Sequence, residues 1–328
     1  MKINHNFFID LAFQTAEKNL GNTGLNPAVG TIVVKEDAVL SSGATSIKGR
    51  PHSEYIALSN INNCSGATLY TTLEPCTHYG KTPPCTNLII KKKIKKVYYA
   101  FEDPDKRTFK KAKTILSAKG IQAKLIKSNK NKDFYKSYFL NKKLNIPYIT
   151  GKIAISKDFF TINKKEKWLT NNASRKLSHL LRYKNDCIIS TSKSINLDNS
   201  LLNCRIDGLN EYKPDLFIID LDLKLKKNIL LNKLIKKRKT YLIINKKNIQ
   251  KTKIYKKKGY KIVSVNSLEN KQDFYLLYKK IYKLGYSRAF VETGLTFLNT
   301  LIKNRLIHNL YIFQNNNKLG KYGKNNAS

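Results

Sequence analysis

Stretches with helical spacing of apolar residues alternate with short apolar runs along nearly the whole chain, and this alternation limits the possible folds most. Phe8, Leu11 and Ala12 share one helical face, and the apolar run 31–34 that follows is typical of a buried strand. The repeated pattern predicts an α/β layer fold. Further strands are predicted at 68–72, 97–100, 121–126, 148–155, 186–190, 215–219, 240–244, 261–265, 288–291 and 309–313, and further helices at 53–59, 85–93, 109–119, 171–182, 271–283 and 295–303.

A length of 328 residues and a new pattern beginning at Pro147 indicate two domains. The Lys- and Asn-rich segment 128–143 contains several aromatic residues, so it is predicted to be a connecting helix that packs on the rest. We therefore expect domains at 1–146 and 147–328. Two lysine-rich runs are predicted to be solvated faces or loops, 223–238 and 246–258.

The chain has 62 Lys and Arg against 22 Asp and Glu, a net charge of +40 that suggests nucleic acid or an anionic membrane. However, only 8 of the 62 are Arg, the residue favoured for bidentate phosphate contacts, and the excess is spread along the chain. No apolar run approaches the ~18 residues of a membrane span. We expect no membrane or nucleic-acid partner, and a homo-oligomer is compatible with the sequence.

Cysteine usage favours a reducing compartment. The five cysteines are an odd number, and the first twenty residues lack the order of a signal peptide. We therefore expect a cytoplasmic protein, in which clustered cysteines indicate metal binding or catalysis more than disulfides.

The strongest chemical signal is His52, with Glu54 two residues later, followed by Cys76 and Cys85. One imidazole and two thiolates leave the fourth tetrahedral position of a zinc ion for water, as in catalytic zinc sites. Zinc lowers the pKa of that water from 15.7 to roughly 7. Glu54 is not needed as a ligand, so it can carry the proton of the water to a ring nitrogen and a leaving ammonia. Taken singly, these residues would more often be a surface histidine and buried thiols.

Three segments resemble the deaminase domain of the RibD family, bifunctional enzymes of riboflavin biosynthesis: 25–30 (LNPAVG), 52–54 (HSE) and 72–85 (TLEPCTHYGKTPPC). Other zinc deaminases have Pro-Cys-x-x-Cys, whereas eight residues separate Cys76 and Cys85 here. The resemblance implies a cytidine-deaminase-like three-layer domain and a phosphoribosylaminopyrimidine substrate. It also implies substrate contacts from Asn26, His78, Lys81, Thr82 and Asp103.

The second half resembles the reductase domain of the same family, which has a dihydrofolate-reductase-like α/β fold. The segments that carry this resemblance are 147–158, 168–170, 181–182, 198–205 and 291–294. The resemblance implies that NADPH reduces a ribosyl to a ribityl chain, and the domain looks C-terminally shortened. The implied NADPH contacts are Ala154, Trp168, Ser194, Asp198 and Gly294, and the implied sugar-phosphate contacts are Arg182, Leu202, Arg205 and Glu292.

Two departures from the family pattern keep alternatives open. Glu292-Thr293-Gly294 replaces Glu-Gly-Gly, and Lys157-Asp158-Phe159 replaces a small residue followed by Asp-Gly. The preferred hypothesis is deamination of 2,5-diamino-6-(5-phosphoribosylamino)pyrimidin-4-one followed by reduction of the product. One alternative is a deaminase with a degenerate, structural reductase domain. Another is a basic RNA-binding protein built on a deaminase scaffold.

Overall fold

The computed structural model describes residues 4–128, 131–166, 168–209 and 214–327. The chain divides into two compact units, Met1–Leu144 and Asn145–Ser328. Among the described residues, no helix is both long enough and apolar enough to cross a membrane.

Unit 1 is a five-stranded mixed sheet with helices on both faces. Its elements are α1 (His5–Glu17), β1 (Gly30–Lys35), β2 (Ala38–Ala44), α2 (Ser53–Ser59), β3 (Thr68–Thr71), α3 (Cys85–Lys91), β4 (Lys96–Tyr99), α4 (Lys111–Ser117), β5 (Gln122–Leu125) and α5 (Lys136–Leu144). The strand order is β2-β1-β3-β4-β5. Both β2 and β3 run antiparallel to β1, whereas β4 and β5 continue parallel to β3.

Alternation along β1 creates the two cores of unit 1. Ile32 and Val34 pack with Phe8 of α1 on one face of the sheet, and Val33 packs with Leu58 of α2 on the other. Successive side chains of a strand point to opposite faces, so one apolar run supplies both cores. The three-layer arrangement expected for the first domain is confirmed.

Unit 2 contains a seven-stranded sheet that is parallel throughout. Its elements are β6 (Tyr148–Ile155), β7 (Phe160–Asn163), α6 (Asn172–Tyr183), β8 (Cys187–Thr191), α7 (Ser192–Asp198), β9 (Asp215–Ile219), β10 (Thr240–Asn245), α8 (Lys253–Lys257), β11 (Lys261–Val265), α9 (Lys271–Lys283), β12 (Arg288–Val291), α10 (Leu295–Lys303), β13 (Asn309–Gln314) and β14 (Gly323–Asn326). The order in the large sheet is β11-β10-β9-β8-β12-β6-β13, and β7 pairs with β14 in a separate antiparallel ribbon.

The central strands of this sheet are buried on both faces. Residues 216–219 of β9 and 241–244 of β10 are all buried. Near-continuous apolar runs of this kind are typical of parallel strands covered by helices on both sides. The predicted α/β class is therefore confirmed for both units.

Two sequence-based assignments in unit 1 need correction. The helix predicted over 128–143 begins only at Lys136, after turns at 131–135, and residues 129–130 lie outside the described part of the chain. Strand β2 was not predicted, because its residues 38–44 include two serines and a glycine and are mostly exposed at the sheet edge. An exposed edge strand lacks the apolar pattern that marks a buried one.

The lysine-rich run 223–238 is not simply a solvated face. Leu231 and Ile235 belong to the core of unit 2, and Arg238 is only 6% exposed. Seven of its sixteen residues are Leu or Ile and six are Lys, and the apolar side chains together with Arg238 determine how the run packs.

Candidate functional site

Two helices and one loop bring the predicted metal ligands together. His52 precedes the first residue of α2, Cys85 is the first residue of α3, and these helices pack against each other. Cys76 lies in the loop between β3 and α3, and its sulfur accepts the backbone N–H of Cys85 at 3.2 Å. The three ligand atoms all lie within 4.8 Å of one another.

The geometry of this group fits zinc. His52 Nδ1 lies 3.7 Å from the sulfur of Cys76 and 3.4 Å from that of Cys85. Zn–S bonds of ~2.3 Å and Zn–N bonds of ~2.0–2.1 Å in a tetrahedron place N and S about 3.6 Å apart. Hydrogen bonding from Cys85, with a further contribution from His52, lowers the pKa of the Cys76 thiol, and the same pairing raises the pKa of Cys85. The donor set and its spacing therefore suit a zinc ion.

Glu54 is buried beside this group. It is 4% exposed and lies in the first turn of α2, two residues after the ligand His52. Ser53 donates to Glu54 Oε2 at 3.1 Å, and the Ser53 hydroxyl is itself 2.8 Å from that of Thr31. Burial raises the pKa of Glu54, so the side chain holds a proton more readily than an exposed glutamate. This is the property expected of a group that carries a proton.

The other predicted deaminase residues lie in loops of unit 1. Neighbouring parallel strands β3 and β4 end at the same edge of the sheet, and their following loops carry His78 and Asp103. Burial raises the pKa of Asp103 to about 6, and Tyr138 donates to its carboxylate at 3.1 Å. Asn26 donates to the Gly49 carbonyl at 3.1 Å. Lys81 and Thr82 are exposed in the loop 77–84.

Glu74 connects these loops, a role that the sequence reasoning did not assign. Its carboxylate accepts backbone N–H groups from Asp103 at 3.2 Å, Lys110 at 3.0 Å and Ala112 at 3.0 Å. It is 2% exposed. The available signal was its position two residues before the ligand Cys76, where an acidic side chain between apolar neighbours needs buried partners.

In unit 2, the predicted cofactor residues lie at one edge of the parallel sheet. Strands β8, β12 and β6 are neighbours. Ser194 follows β8, Gly294 follows β12, and Ala154 is the second-last residue of β6. The Gly294 N–H donates to Ser194 Oγ at 3.0 Å, so the structure brings these two together. Ligands of open α/β sheets bind at the carboxyl ends of the strands.

Two further predicted cofactor residues lie on adjoining segments. Trp168, between β7 and α6, is 54% exposed, and the Arg175 guanidinium lies 5.1 Å from its ring centre. Asp198 is the last residue of α7. Trp168 is the one tryptophan of the chain, so its fluorescence reports on unit 2 alone.

Arg182 and Glu292, predicted separately as substrate contacts, bind each other. Arg182 donates Nε–H and Nη2–H to the two Glu292 oxygens at 2.8 and 2.7 Å. Its Nη1 donates to the Asn203 carbonyl at 2.8 Å. The arginine is 8% exposed, so most of its donor capacity is used inside the protein. Burial opposes the charge of Glu292, but Arg182 outweighs it and lowers the pKa of the carboxyl.

The loop after α7 presents Leu202 and Arg205. Leu202 is buried and has φ of +48°, a conformation that a branched residue adopts only when its surroundings hold it there. Arg238 holds it by donating to the carbonyls of Leu201 at 2.7 Å, Leu202 at 2.6 Å and Pro214 at 3.1 Å. Arg205 itself is exposed.

His179 of α6 also contacts the loop after α7, and like Arg238 it was not predicted from the sequence. Its Nδ1 lies 3.2 Å from the Arg205 backbone nitrogen and 3.2 Å from Arg182 Nη1. Burial and the two arginines lower the pKa of His179 to about 4, so the ring is neutral near pH 7. Its position three residues before Arg182, one helical turn away, was the available signal.

Comparisons with known proteins give a family match for each of the two units. Residues 2–101 match the cytidine and deoxycytidylate deaminase zinc-binding region, and residues 147–326 match the RibD C-terminal domain. The class is thus a zinc-binding deaminase joined to a reductase. The chain belongs to the RibD family, the bifunctional deaminase/reductase enzymes of riboflavin biosynthesis.

Individual relatives extend over both units. Riboflavin biosynthesis protein RibD of Aquifex aeolicus is 31% identical over 312 residues, which cover 93% of this chain and 85% of that protein. RibD of Buchnera aphidicola is 30% identical and covers 97% and 88%.

Solved structures show the same fold. Acinetobacter baumannii RibD has a TM-score of 0.84 at 25% identity, over 98% of this chain and 89% of that one. A Thermotoga maritima diaminohydroxyphosphoribosylaminopyrimidine deaminase/5-amino-6-(5-phosphoribosylamino)uracil reductase has a TM-score of 0.80 at 23% identity, over 96% and 88%.

Proposed function

We propose that unit 1 hydrolyses the exocyclic amine of 2,5-diamino-6-(5-phosphoribosylamino)pyrimidin-4-one. The observation that carries this proposal is the three-ligand group of His52, Cys76 and Cys85, with the buried Glu54 two residues after His52 in the first turn of α2. A zinc ion bound there supplies a Lewis acid that lowers the pKa of water. Glu54 takes one proton from the attacking water and gives it to the ring nitrogen, and it then carries a second proton, from the new hydroxyl on that carbon, to the departing amine. The C–N bond breaks, ammonia leaves, and a carbonyl replaces the amine.

We propose five further side chains of unit 1 as substrate contacts. The neutral imidazole of His78, whose pKa is lowered by burial and by Arg107, offers one N–H donor near the ring. The ammonium of Lys81 offers a point charge to the phosphate. Asn26, Thr82 and Asp103 complete the set.

We propose that unit 2 reduces the deaminated product with NADPH. NADPH bound there would supply a hydride to the ribosyl carbon that bears the amine, while the bond from that carbon to the ring oxygen breaks and one proton goes to the oxygen, giving a ribityl chain. The proposed cofactor contacts are Ala154, Trp168, Ser194, Asp198 and Gly294. Leu202, Arg205 and Glu292 are the proposed substrate contacts, with Arg205 on the phosphate. Because its fork is bound to Glu292, Arg182 contributes chiefly by orienting that carboxylate.

Three measurements on the purified protein test this function. Metal analysis should give one zinc per chain, the diamino substrate should release ammonia, and the deaminated product should support NADPH oxidation. Ammonia release without NADPH oxidation would instead favour a deaminase with a structural second domain. Absence of both zinc and ammonia release would contradict the deaminase assignment.

The same proposal includes a working environment and a set of partners. Five cysteines without a disulfide support a reducing cytoplasm, and the proposed partners are small molecules. An RNA gel shift tests the alternative class. RNA complexes that weaken steeply as salt rises would favour a phosphate-binding role for the +40 charge.

A further inference from the structure

Arg50 is a cation beside the metal group that neither the sequence reasoning nor the mechanism has used. It lies two residues before the ligand His52, and its Nη1 donates to Thr82 Oγ1 at 2.6 Å. A guanidinium has five N–H donors, so this bond uses a small part of its capacity. Among the described residues of unit 1, Arg107 and Lys142 pair with Asp105 and Lys136 pairs with Asp133, whereas Arg50 has no carboxylate partner.

The surroundings of Arg50 are the residues proposed to bind the substrate. The carbonyl of Gly49, its chain neighbour, accepts the side-chain N–H of Asn26 at 3.1 Å. On the other side lies Gly80: a Cβ atom built there would be 3.5 Å from Arg50 Nη2 and 4.0 Å from His78 Nε2. The guanidinium and the imidazole therefore face the same side of Gly80, which carries no side chain to fill the space between them.

We propose that Arg50 binds the phosphate of the deaminase substrate, with Lys81 of the loop 77–84 as a second cation. This inference rests on the proposed function of unit 1. An unpaired guanidinium that is already hydrogen-bonded to a substrate-loop hydroxyl presents its remaining N–H groups as a fork, and such a fork matches two oxygens of a phosphomonoester dianion. Lys81 adds charge without that planar geometry. Arg50 thereby selects phosphorylated over unphosphorylated pyrimidines.

The test combines substitutions of Arg50 with two substrates that differ only in the phosphate. KM for ammonia release is measured on the phosphorylated diaminopyrimidine and on the same compound without phosphate, for wild type, Arg50→Ala and Arg50→Lys. Arg50→Ala should raise KM roughly 10- to 100-fold on the phosphorylated substrate and less than about 2-fold on the other. Arg50→Lys should recover part of the loss. Lys95→Ala, which removes an exposed charge between α3 and β4, is the matched control for net charge.

An equal rise of KM on both substrates would show that Arg50 only holds the Thr82 loop, and no rise on either would exclude a contact. Both results would overturn the inference. A binding measurement covers the case in which wild type turns over neither substrate. In an Arg205→Ala background, which removes the phosphate ligand proposed for unit 2, calorimetry with ribose 5-phosphate should detect binding that Arg50→Ala abolishes. Unchanged binding, or none in the parent, would count against Arg50.

Discussion

The metal group of unit 1 and the sheet edge of unit 2 are built in different ways. The reacting residues of unit 1 fall within positions 52–85, and two short helices with one loop bring them together. The sheet edge of unit 2 draws on positions 154–294, and its decisive contacts join segments far apart in sequence, such as Gly294 with Ser194. The compact site of unit 1 is therefore determined by the types of its side chains and their short spacing in sequence. The dispersed site of unit 2 is determined by which strands the fold places next to each other.

This difference predicts different responses to substitution. In unit 1, the functional groups can be changed while the two cores stay intact, so chemistry should be lost without loss of fold. In unit 2, Arg182 and Glu292 both line the proposed substrate site and join α6 to the end of β12. Stability and function should therefore change together there.

The largest effect should come from Glu54→Gln. The amide keeps the shape of the side chain but cannot accept and return a proton, so kcat for ammonia release should fall by roughly 10²- to 10⁴-fold. Zinc content should stay at the wild-type level, and reduction of supplied deaminated product should be unchanged. Cys85→Ser is the companion variant and should lose zinc as well. Near-normal ammonia release from Glu54→Gln would show that another group moves the proton.

The next largest effect should come from Arg182→Met in unit 2. The change leaves the Glu292 carboxylate, 17% exposed, without its partner, and breaking a buried pair typically costs about 3–5 kcal/mol. Urea unfolding followed by Trp168 fluorescence measures this loss, while ammonia release from unit 1 should persist. Lys176→Met, at an exposed position of the same helix, is the control. A change below about 1 kcal/mol would mean that the ion pair does not stabilise unit 2.

The extent to which each site could be predicted follows from the same comparison. The ligands of unit 1 could be found because imidazole, thiolates and a carboxylate have few uses together at that spacing. In unit 2, the positions came only through the family resemblance, and the pairing of Arg182 with Glu292 could not be foreseen, since it depends on α6 meeting the end of β12. Arg238 was obscured by the lysines around it.

Arg205→Ala should have a smaller effect and one confined to substrate. Arg205 is exposed on the loop that Arg238 holds, so its removal should raise KM for the deaminated substrate roughly 10- to 100-fold, as expected for a charge-assisted phosphate contact. NADPH binding, followed by quenching of Trp168, should change little. Arg205→Lys should restore only part of the loss, because the ammonium lacks the planar fork. Weaker NADPH binding with unchanged substrate KM would reassign the loop to the cofactor.

The smallest effect should be a change in the pH dependence of stability in His179→Asn. The folded-state pKa of His179 is about 4, because burial and the positive charges of Arg182 and Arg205 disfavour the imidazolium, against about 6.5 in an unfolded chain. Between these values the unfolded state binds a proton that the native state does not, so the free energy of unfolding falls as pH drops from about 6.5 to 4. Asparagine does not titrate, so its curve should be flatter.

The difference in slope should be a fraction of the about 1.4 kcal/mol per pH unit that one proton contributes, since the ring is partly exposed and solvent screens its charge. Urea unfolding at several pH values, followed by Trp168 fluorescence, measures it. His5→Asn is the control, because His5 lies in unit 1, whose unfolding Trp168 does not report. Parallel curves for wild type and His179→Asn would mean that the imidazole is not held neutral between the two arginines, and the dispersed site would then tolerate a third positive charge.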